Sequence, residues 1–165
     1  MVGLFWIQSG GTYLGTPPVP PAPGVLLSAT GPLVVGPDPQ ETLWSDVRDL
    51  RVTEAPARST AARWAARAAS VAAAALNAWT PPGPVEMTVV MTAGGHETTT
   101  PVFSGASSAY TEREVDLSHG LLARFVRGES SPAVMSDWWN AEQQPDGALP
   151  SRHREALLES WLHMG

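Results

Sequence analysis

The side chains with chemistry to offer are four histidines, sixteen carboxylates and ten basic residues, every one of the ten an arginine. Asp116 and His119 stand three residues apart in a stretch of helical pattern. That spacing puts a carboxylate and an imidazole on one face, as a general acid–base pair requires. No nucleophile or third ligand is placed in sequence to complete a site, so the pair reads as a surface contact. His96 follows Gly94-Gly95 and precedes Glu97, and a turn explains that tetrad better than a metal site does. His153 and His163 are scattered through the tail. HExxH, GxSxG, a Walker loop and a GxGxxG followed by an acidic residue are all missing. Without cysteine there is no thiol nucleophile, disulfide or thiolate ligand, and without lysine there is no Schiff-base or P-loop lysine chemistry. The expectation is a protein that is not an enzyme, with no catalytic residues, no metal and no cofactor.

Binding chemistry is better represented. Arg48, Arg51, Arg58, Arg63 and Arg67 are half of all the basic residues and fall within twenty positions. With Trp64 and Trp79 nearby, they could form an interfacial segment for anionic lipid, although alanine-rich flanks supply little insertion energy. The formal net charge of −6 and pI near 5.1 disfavour nucleic acid. Trp138, Trp139 and Trp161 sit in the C-terminal tail, and tryptophan is enriched where proteins grip partners. The competing reading packs these rings against the rest of the fold. TPPVPPAPG, residues 16–24, holds five prolines in nine positions. It has the PxxP spacing of an extended ligand, but lacks a flanking base and reads as a rigid connection.

The elements that must position these residues begin with Leu4–Gln8 and Thr12–Gly15, flanking a three-residue loop, Ser9-Gly10-Gly11: a hairpin. Leu4-Phe5-Trp6-Ile7 is apolar on both faces, so that strand is either covered on both sides or waiting for a partner. Short strands follow at Val25–Ser28 and Leu33–Val35. In Glu41–Glu54, ETLWSDVRDLRVTE, Leu43 and Val47 are apolar at odd positions, Leu50 and Val52 at even ones. A strand has a period of about two, so the phase change predicts a strand over 41–44, a turn at Ser45-Asp46, and a strand over 49–54. Trp44 is then a core anchor, Asp46 holds the turn, and Arg48 and Arg51 remain for outside contact.

Ser59–Trp79 contains eleven alanines and no Gly or Pro, which predicts a helix closed by Pro81-Pro82. Val85–Thr92 and Glu97–Phe103 flank Gly94-Gly95 as a second hairpin. Thr111-Glu112-Arg113-Glu114 matches a capping box, opening a helix with Leu117, Leu121, Leu122, Phe125 and Val126 on one face and Gly128 at its end. Ser131-Pro132 opens another helix through Trp138-Trp139. Ser151–Leu162 forms the last.

A chain of 165 residues suits one domain, or one domain with a helical appendage. At that size roughly 68–70% of the unfolded surface is buried without help from a metal or disulfide. The opening residues lack a basic n-region, so no secretion signal is expected. No apolar run approaches the ~18–20 residues of a membrane span. The expected location is cytoplasmic.

Leu43-Trp44-Ser45-Asp46-Val47 resembles the "aromatic, Ser/Thr, Asp, aliphatic" turn of bacterial pleckstrin-homology-like (PH-like) domains. Val25–Leu33 resembles the segment that precedes it there, with Pro32 as a departure. The resemblance covers about residues 3–127. The alanine-rich helix and the tryptophan-bearing tail depart from it. The whole chain also resembles an actinobacterial protein family, which brings no activity with it. The resemblance implies an α+β fold: a seven-stranded antiparallel PH-like barrel or sandwich over residues 1–128, capped by a C-terminal helix. The alanine-rich helix is inserted at about 57–80, and a helical tail over 129–165 packs on the domain. It further implies a non-enzymatic interaction or scaffold module without a cofactor, binding a protein partner or itself. Contact would run through Arg48, Arg51, Arg63, Arg67, Trp138, Trp139 and Trp161. The alternative is a peripheral membrane adaptor touching anionic lipid through the Arg48–Arg67 region. Nucleic acid and a transmembrane segment are not expected.

Overall fold

A computed structural model describes residues 1–57, 85–106, 110–141 and 149–164. Among them the fold is α+β, with eight strands in two antiparallel sheets and three helices. The first sheet is a meander in chain order: β1 (Phe5–Gln8), β2 (Gly11–Leu14), β3 (Gly24–Leu27), β4 (Pro32–Val35) and β5 (Gln40–Glu41). Gln8 faces Gly11, so the first hairpin turns on Ser9-Gly10 alone, one residue tighter than its sequence suggests. The second sheet is β6 (Val47–Thr53), β7 (Glu86–Ala93) and β8 (His96–Phe103). Its hairpin turns on Gly94 and Gly95, with φ of 57° and 84°, the doubly left-handed backbone that a two-residue turn between twisted strands demands.

Inward residues of both sheets meet in one core: Phe5, Ile7, Leu14, Val25 and Leu27 from the first, Val47, Leu50, Val52, Met87, Val89 and Val102 from the second. The sheets are tied at their ends where the Thr16 N–H donates to the Phe103 carbonyl at 2.8 Å. The preceding Gly15 has φ +74°, and a Cβ there would stand 2.4 Å from the same carbonyl oxygen. Only glycine allows that approach.

The expectation of a seven-stranded barrel or sandwich is corrected in strand number, since the described residues hold eight strands, in two antiparallel sheets and no closed barrel. The physical reason lies between β5 and β6. Strand 41–44 shrinks to Gln40–Glu41: Thr42 N–H still donates to Pro32 O at 3.0 Å, but Pro32 has no N–H to return, and the chain turns over Trp44–Asp46. Among the described residues β6 then pairs with β7 alone and offers its other edge to a helix. The phase change in 41–54 also has a different origin from the one inferred. Val47 pairs with Ala93 and Asp49 with Thr92, so Arg48 is the extra residue of a β-bulge. The bulge lets Val47, Leu50 and Val52 all point inward despite their mixed parity.

Trp44 is half-buried, and its ring tilts against Phe125 at 6.0 Å between centroids. Its Nε1–H donates to the Ser28 carbonyl at 3.0 Å, stapling the β3–β4 turn beneath it. Trp44→Phe keeps an aromatic face but leaves that carbonyl without its indole donor. It should cost about 1 kcal/mol in urea unfolding, and an unchanged midpoint would show that the staple is dispensable. Asp46 holds the turn mainly through its backbone, accepting from Gly94 N–H at 3.3 Å and donating to Leu43 O at 2.9 Å, while its Oδ1 accepts from the Ser45 hydroxyl at 3.3 Å.

The capping box forms as read. The Thr111 hydroxyl accepts from Glu114 N–H at 3.0 Å and Glu114 Oε2 accepts from Thr111 N–H at 2.8 Å. They open α1 (Glu112–Val126), which lies along β6. α2 (Ala133–Ala141) packs over β1 and β2, and α3 (Ser151–His163) packs against α1. Met135, Leu158 and Trp161 thereby join the same core as the sheets. The alanine-rich stretch 59–79 lies outside the described residues.

Candidate interaction surface

The residues singled out for acid–base chemistry do not meet. His119 reaches from α1 to the edge of β6, where its Nε2 stands 3.0 Å from Val52 O and 3.3 Å from Val52 N. That ring nitrogen thus meets the outward side of an edge strand, donating to the Val52 carbonyl in one tautomer or accepting from the Val52 N–H in the other. Asp116 is exposed and forms no hydrogen bond or ion pair among the described residues, so the Asp116–His119 pair is not made. His96 is exposed beside the glycine turn, and the His163 ring sits 2.7 Å from Glu159 O. Among the described residues no three His, Asp or Glu side chains gather as a metal site would need.

The arginines divide. Arg51 projects from the outer face of the second sheet between Asp49 and Glu97 and ion-pairs with both. Its hydrogen bonds to Asp49 and then Glu97 push its pKa above the usual arginine value. Arg48 is exposed at the bulge and forms no ion pair among the described residues. Arg58, Arg63 and Arg67, with Trp64 and Trp79, lie outside the described residues. No described helix is long and apolar enough to cross a membrane.

The tail tryptophans stack on one another and on the core. Trp161 is 1% exposed. Trp138 meets it edge-on at 5.7 Å and Trp139 lies 6.3 Å from Trp138. Trp161 is therefore a core anchor and offers no ring to a partner, while Trp138 and Trp139 are half-buried.

A feature not singled out in the sequence is the free side of β8. The Ser104 N–H donates to Val85 O at 2.8 Å, toward β7, whereas Phe103 O accepts from Thr16 on the opposite side. That alternation phases the strand: even positions bond β7, and Glu97, Thr99 and Pro101 present their backbone groups outward. Among the described residues no strand pairs with this edge. His96, Glu97, Thr98, Thr99 and Pro101 are all exposed. Pro101 was the legible clue, because a proline inside a strand belongs on an edge, where its missing N–H costs no ladder bond.

No protein-family model, no curated protein and no solved structure matches the chain.

Proposed function

We propose that this chain is a non-enzymatic interaction module of PH-like type that binds a protein partner or a second copy of itself, without a cofactor. The observation that carries the reading is the outer edge of β8, an eight-residue strand whose outward amides and carbonyls have no strand partner among the described residues. An extended chain laid on such an edge gains main-chain hydrogen bonds and reads alternate side chains. The PH-like part is supported by element order: two antiparallel sheets built as consecutive meanders, then α1 docked on the first strand of the second sheet. The lipid alternative draws no support from Arg51, whose charge is already shared by two carboxylates.

Amide shifts of 15N-labelled protein test the reading, recorded against increasing protein concentration and against extended peptides selected from a random display library. Shifts should cluster at the amides of Glu97–Thr100. If neither concentration nor any selected peptide moves those amides, the reading fails.

A further inference from the structure

We infer that two copies of this chain pair antiparallel through β8, with the two-fold axis at Thr99, joining their second sheets into one continuous sheet. This rests on the reading of β8 as an interaction edge. The partner is argued from self-complementarity in hydrogen bonding and charge.

Among the described residues the open segment runs from Glu97 to Pro101, because Thr16 already occupies the Phe103 carbonyl. An antiparallel register centred on Thr99 sets Thr99 against its own copy and Glu97 against the partner's Pro101. The two Thr99 peptides exchange both N–H···O bonds, and each Glu97 N–H meets a Pro101 carbonyl. Pro101 has no N–H to leave stranded. Shifting the register to put Pro101 opposite Thr99 would face a donor-less residue toward the Thr99 carbonyl and forfeit the symmetric exchange. Where the open edge of one copy ends, at Phe103, the partner's strand also ends. Its chain turns at Gly94-Gly95 toward its own β7, away from the first copy.

Charge permits this meeting although the chain is acidic overall. No like charges stand directly opposite, and each Glu97 carboxylate shares its own Arg51, 3.2 Å away, with Asp49, so its charge is screened in part. Threonine against threonine is a favoured cross-strand pair. Five residues at ~3.4 Å rise make a contact about 17 Å long, so the dimer belongs to the small, transient class of interfaces.

Sedimentation velocity over a micromolar to millimolar series should show wild-type protein passing from monomer to dimer. Thr99→Lys and Thr99→Glu each place like charges opposite across the axis and should weaken the dimer roughly tenfold. An equimolar mixture of the two should restore it, an outcome specific to an axis at Thr99. Thr99 is exposed, and an unchanged circular dichroism melt will establish that each variant is folded. A wild-type monomer at every concentration overturns the pairing, as does a dimer indifferent to both variants or a mixture that stays monomeric. If peptides still shift the amides of Glu97–Thr100 in such a monomer, the interaction reading stands and only the homotypic pairing falls.

Discussion

Glu114→Ala is expected to lose about 3–5 kcal/mol of folding stability, the cost of removing one member of a buried ion pair. Glu114 is 0% exposed, although glutamate is rarely buried without a partner. Its Oε2 closes the capping box on Thr111 N–H, and its Oε1 accepts from Arg154 Nε, a guanidinium whose side chain is only 13% exposed. Arg154 spends its other donors on Leu149 O and, at 3.1 Å, on Ser151 Oγ, so it cannot swing away to water without breaking the start of α3. Removing the carboxylate therefore strands a buried cation and a helix N-terminal amide together. The control is Arg113, which pairs with Glu159 across the same two helices from a side chain 64% exposed. Arg113→Ala should barely move the unfolding midpoint, because a solvated pair gains little over its hydrated partners. The double variant Glu114→Leu/Arg154→Leu should recover much of the loss, since an apolar pair carries no desolvation debt. A Glu114→Ala midpoint no lower than that of Arg113→Ala would refute the assignment.

Glu114 also marks the boundary between what could be read and what could not. Thr111 and Glu114 are three apart, and a capping box is local, so the start of α1 was legible to the residue. The bond from Glu114 to Arg154 spans forty positions, and no local pattern announces it. The same limit explains Glu41–Glu54. An extra residue shifts strand phase by one whether it sits in a turn or in a bulge, and only the partner strand distinguishes them. Val47 opposite Ala93 and Asp49 opposite Thr92 place the extra residue at Arg48. The Gly94-Gly95 hairpin was visible because a two-residue turn with positive φ at both positions has few sequence solutions. The free edge of β8 was nearly invisible, since edge or centre depends on strand order. Asp116 and His119 share a helical face by count, yet His119 is drawn to the Val52 peptide because an uncovered strand edge competes for any polar group in reach. The tail was ambiguous for a related reason: three tryptophans fit an interface and a core equally well until their surroundings are known.

Those surroundings make Trp161→Ala the second large effect, about 3–5 kcal/mol, as for deletion of a fully buried aromatic side chain. Folded domains retain only about 5–15 kcal/mol in total, so the variant should lie close to unfolding under mild urea. Trp161 and Leu158 are both buried in the shared core. Leu158 also approaches so near the chain at Gly3 that a Cβ there would stand 2.9 Å from its Cδ1. Loss of the Trp161 ring leaves Trp138 without its edge-on neighbour and loosens α3 against α1. Trp139→Ala removes a half-buried ring with no direct contact to Trp161 in the ring stack and should cost distinctly less. The two variants separate packing from partner binding. If Trp161 served chiefly as an interface residue, Trp161→Ala would leave the urea midpoint in place and change only association. A fall in the midpoint, with near-ultraviolet circular dichroism of the tryptophan cluster lost in the same transition, places α3 in the cooperative core. The interaction surface is then sought on β8, whose outward backbone takes no part in that packing.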